Sequence, residues 1–147
     1  MIDPKSIKQL SMTPRAAVLA LLCGFALQLP LAAAAELTEQ EMKLGRILFL
    51  QCRACHSLTP KDNEGKIGPS LAGVYGRAAG SADYYENYSA ALRESAHEWN
   101  PETMSQWLQG PAAMVPGTTM VFAGLEDAGR RDLLVRYLEV LTQAEAQ

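Results

Sequence analysis

The sequence predicts a small all-α fold of about four to five short helices, and three observations lead there. Helix-start signatures recur at Thr38, Ser89, Asn100 and Asp127. Apolar residues repeat behind them at helical spacing, as in Met104, Trp107 and Leu108, and again in Leu134, Tyr137, Leu138 and Leu141. The stretches between are rich in turn formers and carry no period.

Of the 147 residues, 48% are hydrophobic and 20% charged, which fits one small domain. The first 35 residues stand apart from it. Lys5, Lys8 and Arg15 make a positive front, residues 16–29 form an apolar run broken by Gly24 and Gln28, and Pro30 with residues 32–35 adds small residues before Glu36. This is the logic of a secretory signal. It predicts a cut after Ala35, with residues 36–147 as the working domain. An uncleaved membrane anchor is the alternative, although the run falls short of the ~20 residues a span needs. A lipoprotein cut before Cys23 is disfavoured because Leu22 occupies the small-residue position. Removing Lys5, Lys8, Arg15 and Asp3 from totals of 13 Lys+Arg and 16 Asp+Glu leaves 10 against 15, a net charge of −5 in place of −3. That balance argues against a nucleic-acid partner and leaves no dominant basic patch.

The first helix starts at Thr38, which can cap it, while Glu41 three residues on closes a capping box. Leu37 and Met42 take the staple positions on either side. Met42, Gly45, Phe49 and Cys52 fall near one face. Gly45 inside a helix costs ~1 kcal/mol against Ala, tolerable where another helix crosses closely.

Next comes Cys52-Arg53-Ala54-Cys55-His56. Two cysteines three apart with a histidine after the second form the attachment pattern for c-type haem. Each thiol can add across one haem vinyl group to make a thioether. The spacing puts both sulfurs on one face, about one helical turn apart, and His56 can then bind the iron. A redox dithiol would leave His56 unexplained. Zinc would need further ligands, and only Cys23 and His97 remain. Thioether attachment takes place on the outer side of the bacterial inner membrane, so the motif behind such a signal predicts the periplasm. Cys52 and Cys55 are then haem thiols and not a disulfide.

Residues 59–71 make a loop rich in turn formers. An iron-bound histidine usually donates its second ring N–H to a carbonyl, and the rigid Gly68-Pro69 turn could present one. Gly73, Gly76 and Gly80 continue the loop around Arg77, which could pair with a haem propionate or stay solvated. The hydroxyls of Tyr84, Tyr85 and Tyr88 could bond propionates while their rings cover the haem edge. Ser89 caps a short helix running from Ala90 to about Ser95. His97 reads as a surface residue, and Trp99 needs a partner for its N–H if buried. Asn100-Pro101 starts the third helix, Gly110-Pro111 stops it, and Met104 reads as core packing. Residues 115–122 form an extended loop after a Pro-Gly turn, on which Met120 can place its thioether over the open haem face. Met114, before the turn, is its competitor. The last helix covers residues 126–141 with Asp127 as cap, and residues 144–147 should fray.

Taken together, residues 36–141 resemble the class I cytochromes c, of the mitochondrial and bacterial c2 type. The resemblance rests on Gly45 with Phe49, the Cys52–His56 motif, Gly68-Pro69-Ser70-Leu71, Gly76-Arg77, Tyr88, Trp99, the loop from Pro116 to Met120 and the Leu134, Tyr137, Leu138 stripe. It implies first and last helices that cross, with short helices wrapped around one covalent haem c. It implies His56 and Met120 as axial ligands, Pro69 O as acceptor for His56, and Tyr88 and Trp99 at a propionate. Thr119 stands where mitochondrial members carry a lysine, Trp107 where they usually have a tyrosine near the ligand sulfur, and the basic docking ring is absent. The implied function is that of a monomeric one-electron carrier and not an enzyme. Its partners would be redox proteins: a quinol–cytochrome c oxidoreductase or periplasmic dehydrogenase, and a terminal oxidase or reaction centre. Contact with the membrane would come through those partners unless the first segment is retained. A fixed dehydrogenase subunit, or a haem protein whose Met120 leaves the iron, are the other classes.

Overall fold

A computed structural model describes residues 36–143. The signal predicted for residues 1–35, with Cys23 inside it, and the fraying predicted for residues 144–147 lie outside the described residues. Within the described residues the helices are α1 Glu39–Phe49, α2 Ala90–Arg93, α3 Pro101–Gln109, α4 Pro111–Met114 and α5 Ala128–Gln143, with one 3₁₀ turn at Lys61–Asn63. The only extended pairing among them is an isolated bridge between Ala78 and Glu98.

α1 begins with the predicted capping box. Thr38 Oγ1 accepts from Glu41 N–H at 3.2 Å, and Glu41 Oε2 accepts from Thr38 N–H at 2.8 Å. Two otherwise orphaned backbone donors are satisfied this way. Beyond Phe49 the chain keeps turning: Cys52 N–H donates to Phe49 O at 2.9 Å and His56 N–H to Cys52 O at 2.9 Å. The cysteines therefore sit on helical turns continuing from α1.

α5 starts at Ala128, two residues later than expected. Asp127 Oδ1 accepts from Arg130 N–H at 2.7 Å, while Arg131 Nη1 holds the carbonyls of Leu125 and Glu126 at 2.7 and 3.0 Å. Glu126 therefore stays in the loop. At the other end the helix runs past residue 141 because Thr142 is buried. Its hydroxyl donates to Leu138 O at 2.7 Å and its carbonyl accepts from Gly73 N–H at 2.9 Å.

α1 and α5 pack where Gly45 meets Tyr137. A β-carbon on Gly45 would lie 2.5–2.7 Å from three Tyr137 side-chain atoms, so only glycine allows the approach. The Phe49 and Tyr137 rings stack obliquely beside it, 6.3 Å apart. Arg136 Nη2 joins Glu41 Oε1 across the helices at 2.6 Å.

α3 has Asn100 Oδ1 accepting from Thr103 N–H at 2.9 Å and buries Met104, Trp107 and Leu108. Gly110-Pro111 does more than stop it. Proline suits a first helical position, so Pro111 opens α4. α2 ends earlier than about Ser95 because Ser95 Oγ bonds Leu92 O at 2.8 Å and Ala96 turns left-handed at φ 53°. Leu134 and Leu138 on α5 are almost fully enclosed, at 0% and 2% exposure. Burial of that completeness contributes about 1.5–3 kcal/mol per side chain.

Candidate haem-binding site

Cys52 and Cys55 are free thiols, both half-buried. Burial, helped by the neighbouring Cys55, pushes the Cys52 thiol up to about 11. It therefore keeps the hydrogen that thioether formation would add to a vinyl group. His56, one residue on, is half-buried, and its Nδ1 lies 2.7 Å from Pro69 O. A carbonyl can only accept, so Nδ1 carries the proton and the lone pair of Nε2 is left free. Burial lowers the His56 pKa below its usual value, with the Lys66 charge acting in the same direction and the Pro69 bond opposing. Burial thus favours the neutral ring, the form that binds a metal.

The segment carrying Pro69 fits tightly against this histidine. Gly68 N–H donates to Cys55 O at 2.9 Å, and a β-carbon on Gly68 would come within 2.6 Å of His56 Cε1. Around it the structure departs from the sequence reading of the tyrosines. The hydroxyls of Tyr84 and Tyr85 are turned onto backbone carbonyls, donating to Ser70 O at 2.8 Å and Ile67 O at 2.6 Å. Those bonds use the protons that the two hydroxyls could otherwise offer to propionates. The Tyr88 hydroxyl donates to no carbonyl among the described residues, and its backbone partner is Ala82. Its ring lies edge-on to Tyr85 at 4.8 Å with the Arg93 guanidinium 5.7 Å away, and burial pushes its pKa up.

Arg77 is half-buried: Nη1 donates to Ala72 O at 3.3 Å and the guanidinium lies 6.0 Å from the Tyr84 ring. Its backbone carbonyl accepts from Trp99 N–H at 2.9 Å. Trp99 is buried at 7% exposure, and its ring meets Trp107 edge-on at 5.4 Å. Neither indole N–H has a protein acceptor among the described residues. His97 lies half-buried near this loop, its carbonyl accepting from Ala79 N–H at 2.7 Å.

Met120 follows a type II turn. Gly117 sits at φ 92° after Pro116, and Thr118 N–H donates to Val115 O at 3.1 Å. Thr119, Val121 and Ala123 are exposed while Met120 and Phe122 are half-buried, the alternation of an extended chain lying on a core. Met114 is also half-buried, on α4, and Met104 is core at 4% exposure.

Two polar residues at this site carry no motif that would mark them in the sequence. Ser57 is buried, its hydroxyl at 2.7 Å from Thr59 O and 2.8 Å from Asn63 Oδ1, and Asn63 Nδ2 donates to Gly68 O at 3.2 Å. The donor set fits a covalent haem. Two thiols lie one turn apart, an imidazole has its outer nitrogen free, a thioether lies on an inward-facing loop position, and two indole N–H groups lack an acceptor among the described residues.

No family model matches the chain. Individual proteins do. It is 39% identical over 104 residues to cytochrome c of Gibberella zeae, spanning 70% of this chain and 96% of that one. It is 34% identical over 108 residues to cytochrome c2 of Blastochloris viridis, spanning 74% and 84%. Among solved structures, cytochrome cH from Methylobacterium extorquens is similar at 39% identity with a TM-score of 0.60, over 67% of this chain and 97% of that one. Identity at this level across nearly the whole length of such relatives shows the family: the chain belongs to the class I cytochromes c, monohaem electron carriers that hold haem c covalently.

Proposed function

We propose that this cytochrome works in the periplasm, with His56 and Met120 as the two axial ligands of its iron. It would pass single electrons from a quinol-oxidising complex or periplasmic dehydrogenase to a terminal oxidase or reaction centre. The observation that carries the His56 assignment is the 2.7 Å contact from His56 Nδ1 to Pro69 O, which leaves Nε2 as the free nitrogen. Bound haem supplies the Fe(III)/Fe(II) couple. Pro69 O fixes the tautomer of His56 and strengthens it as a donor. Met120 contributes a soft thioether that favours Fe(II) and raises the potential. Apolar neighbours, among them Phe49, Trp99, Leu108 and Leu138, disfavour the extra charge of Fe(III) in the same direction. With both His56 and Met120 holding the iron, neither side would stay open to O₂ or peroxide, which would favour electron transfer over catalysis.

Arg77, Tyr88 and Trp99 are the residues we assign to the propionate side. The indole N–H of Trp99, which has no acceptor among the described residues, and the half-buried cation of Arg77 support this. The tests are fractionation and spectroscopy. A periplasmic extract should yield the chain beginning at Glu36 with the added mass of one haem. The oxidised protein should show a methionine-sulfur-to-iron charge-transfer band, and the reduced protein should bind CO slowly. Recovery only with membranes would overturn the location. A high-spin oxidised spectrum with rapid CO binding would overturn the ligand set.

A further inference from the structure

Four consecutive carbonyls, from Ile67 to Ser70, each accept one side-chain donor. Ile67 O takes Tyr85 Oη at 2.6 Å, Gly68 O takes Asn63 Nδ2 at 3.2 Å, Pro69 O takes His56 Nδ1 at 2.7 Å and Ser70 O takes Tyr84 Oη at 2.8 Å. The segment needs outside support. It lies in no helix, and Pro69 has no N–H of its own. Among the described residues its backbone tie near the histidine is Gly68 N–H to Cys55 O at 2.9 Å, with Leu71 N–H to Ser57 O at 2.8 Å just beyond it.

We propose that Tyr84 and Tyr85 are positioning residues for the proximal histidine, clamping the carbonyls on either side of Gly68-Pro69 so that Pro69 O keeps its bond to His56 Nδ1. The peptide plane that carries Pro69 O turns about the backbone bonds of Pro69 and Ser70. Holding Ser70 O from one side and Ile67 O from the other removes that freedom. The acceptor is then fixed before the imidazole meets it, as an outer partner of a metal-binding histidine has to be. A strongly held acceptor gives the ring more anionic character and favours Fe(III). A loosened one favours Fe(II).

This rests on His56 being an axial ligand, and the experiment separates the two claims. Hyperfine-shifted His56 ring resonances in the NMR spectrum of the oxidised holoprotein establish ligation in the unaltered chain; without them the ligand assignment itself fails. Tyr85→Phe and Tyr84→Phe are then compared with it. Tyr75→Phe serves as the control, since it removes a tyrosine-to-carbonyl bond of similar length, 3.0 Å to Val135 O, on α5. The expected result is a higher midpoint potential and displaced His56 resonances in each clamp variant, with a larger shift in the double variant, and neither change in the control. Tyr85 bonds at the surface, so its single variant keeps the core packing and decides the matter if the double variant does not fold. Clamp variants that melt earlier but keep potential and His56 resonances unmoved would overturn the proposal and reduce the two tyrosines to structural staples.

Discussion

Gly68 shows how much one missing methyl group decides at this site. A β-carbon there would press on His56 Cε1 at 2.6 Å and on Cys55 O at 2.9 Å, and neither the backbone atom nor a pinned ring can yield freely. Gly68→Ala should therefore cost about 1–3 kcal/mol as overpacking, read as an earlier thermal midpoint of the holoprotein, and should also displace the His56 ring resonances. A wild-type melting curve and unchanged resonances would show that the loop relaxes at no cost. The cysteines and the histidine were legible in the sequence because their spacing states the chemistry, and the Gly-Pro acceptor through its rigid turn and the family resemblance. The hydroxyls of Tyr84 and Tyr85 were not. Which carbonyl a tyrosine reaches depends on the path of residues 82–88, and nothing in the pattern of three tyrosines distinguishes a backbone acceptor from a propionate.

Helices pack here through a few specific contacts, and the α1–α5 pair carries two predictions. Gly45→Val places a branched side chain where Tyr137 stands 2.5–2.7 Å from the first added carbon. It should destabilise by about 1–3 kcal/mol, measured by denaturant unfolding. The ion pair across the same helices has a pH signature. The Arg136 hydrogen bond, followed by those of Thr38, lowers the Glu41 carboxyl from 4.5 to about 2. A depressed carboxylate means that the unfolded chain binds the proton more readily. The pair's stabilisation is thus fully present above the ordinary value of 4.5 and fades as pH falls toward 2. Glu41→Gln should melt below the parent at pH 7, and the gap should narrow between about pH 5 and pH 3. A gap that stays constant across that range would assign the loss to something other than the charge. Helix starts were readable because a cap is settled within four residues, as at Thr38 and Asn100. α4 was not, since Gly110-Pro111 is equally a stop for one helix and a start for the next. Nor was the end of α5, which Gly73 and the buried Thr142 set through contacts distant in sequence.

At the scale of the whole molecule, the fold is expected to depend on its cofactor. A domain of about 110 residues buries a modest fraction of its surface, and here long loops connect few helices. The haem should complete that core. The Cys52→Ala, Cys55→Ala double variant is therefore expected to lose most helical circular dichroism and to show no cooperative melting transition; a native-like, cooperatively unfolding apoprotein would refute this dependence. The crossing of the first and last helices was legible from Gly45 and the α5 stripe once both were set in the resemblance, whereas the polar frame of Ser57 and Asn63 behind the histidine emerged only from the folded chain. The claim on which the rest depends is that Met120 sulfur and His56 nitrogen face each other across one iron, and potentiometric titration of the holoprotein beside Met120→Ala tests it most directly. Thioether ligation predicts loss of the charge-transfer band and a midpoint lowered by more than about 59 mV, a tenfold change in a one-electron equilibrium; an unchanged band and midpoint would contradict it.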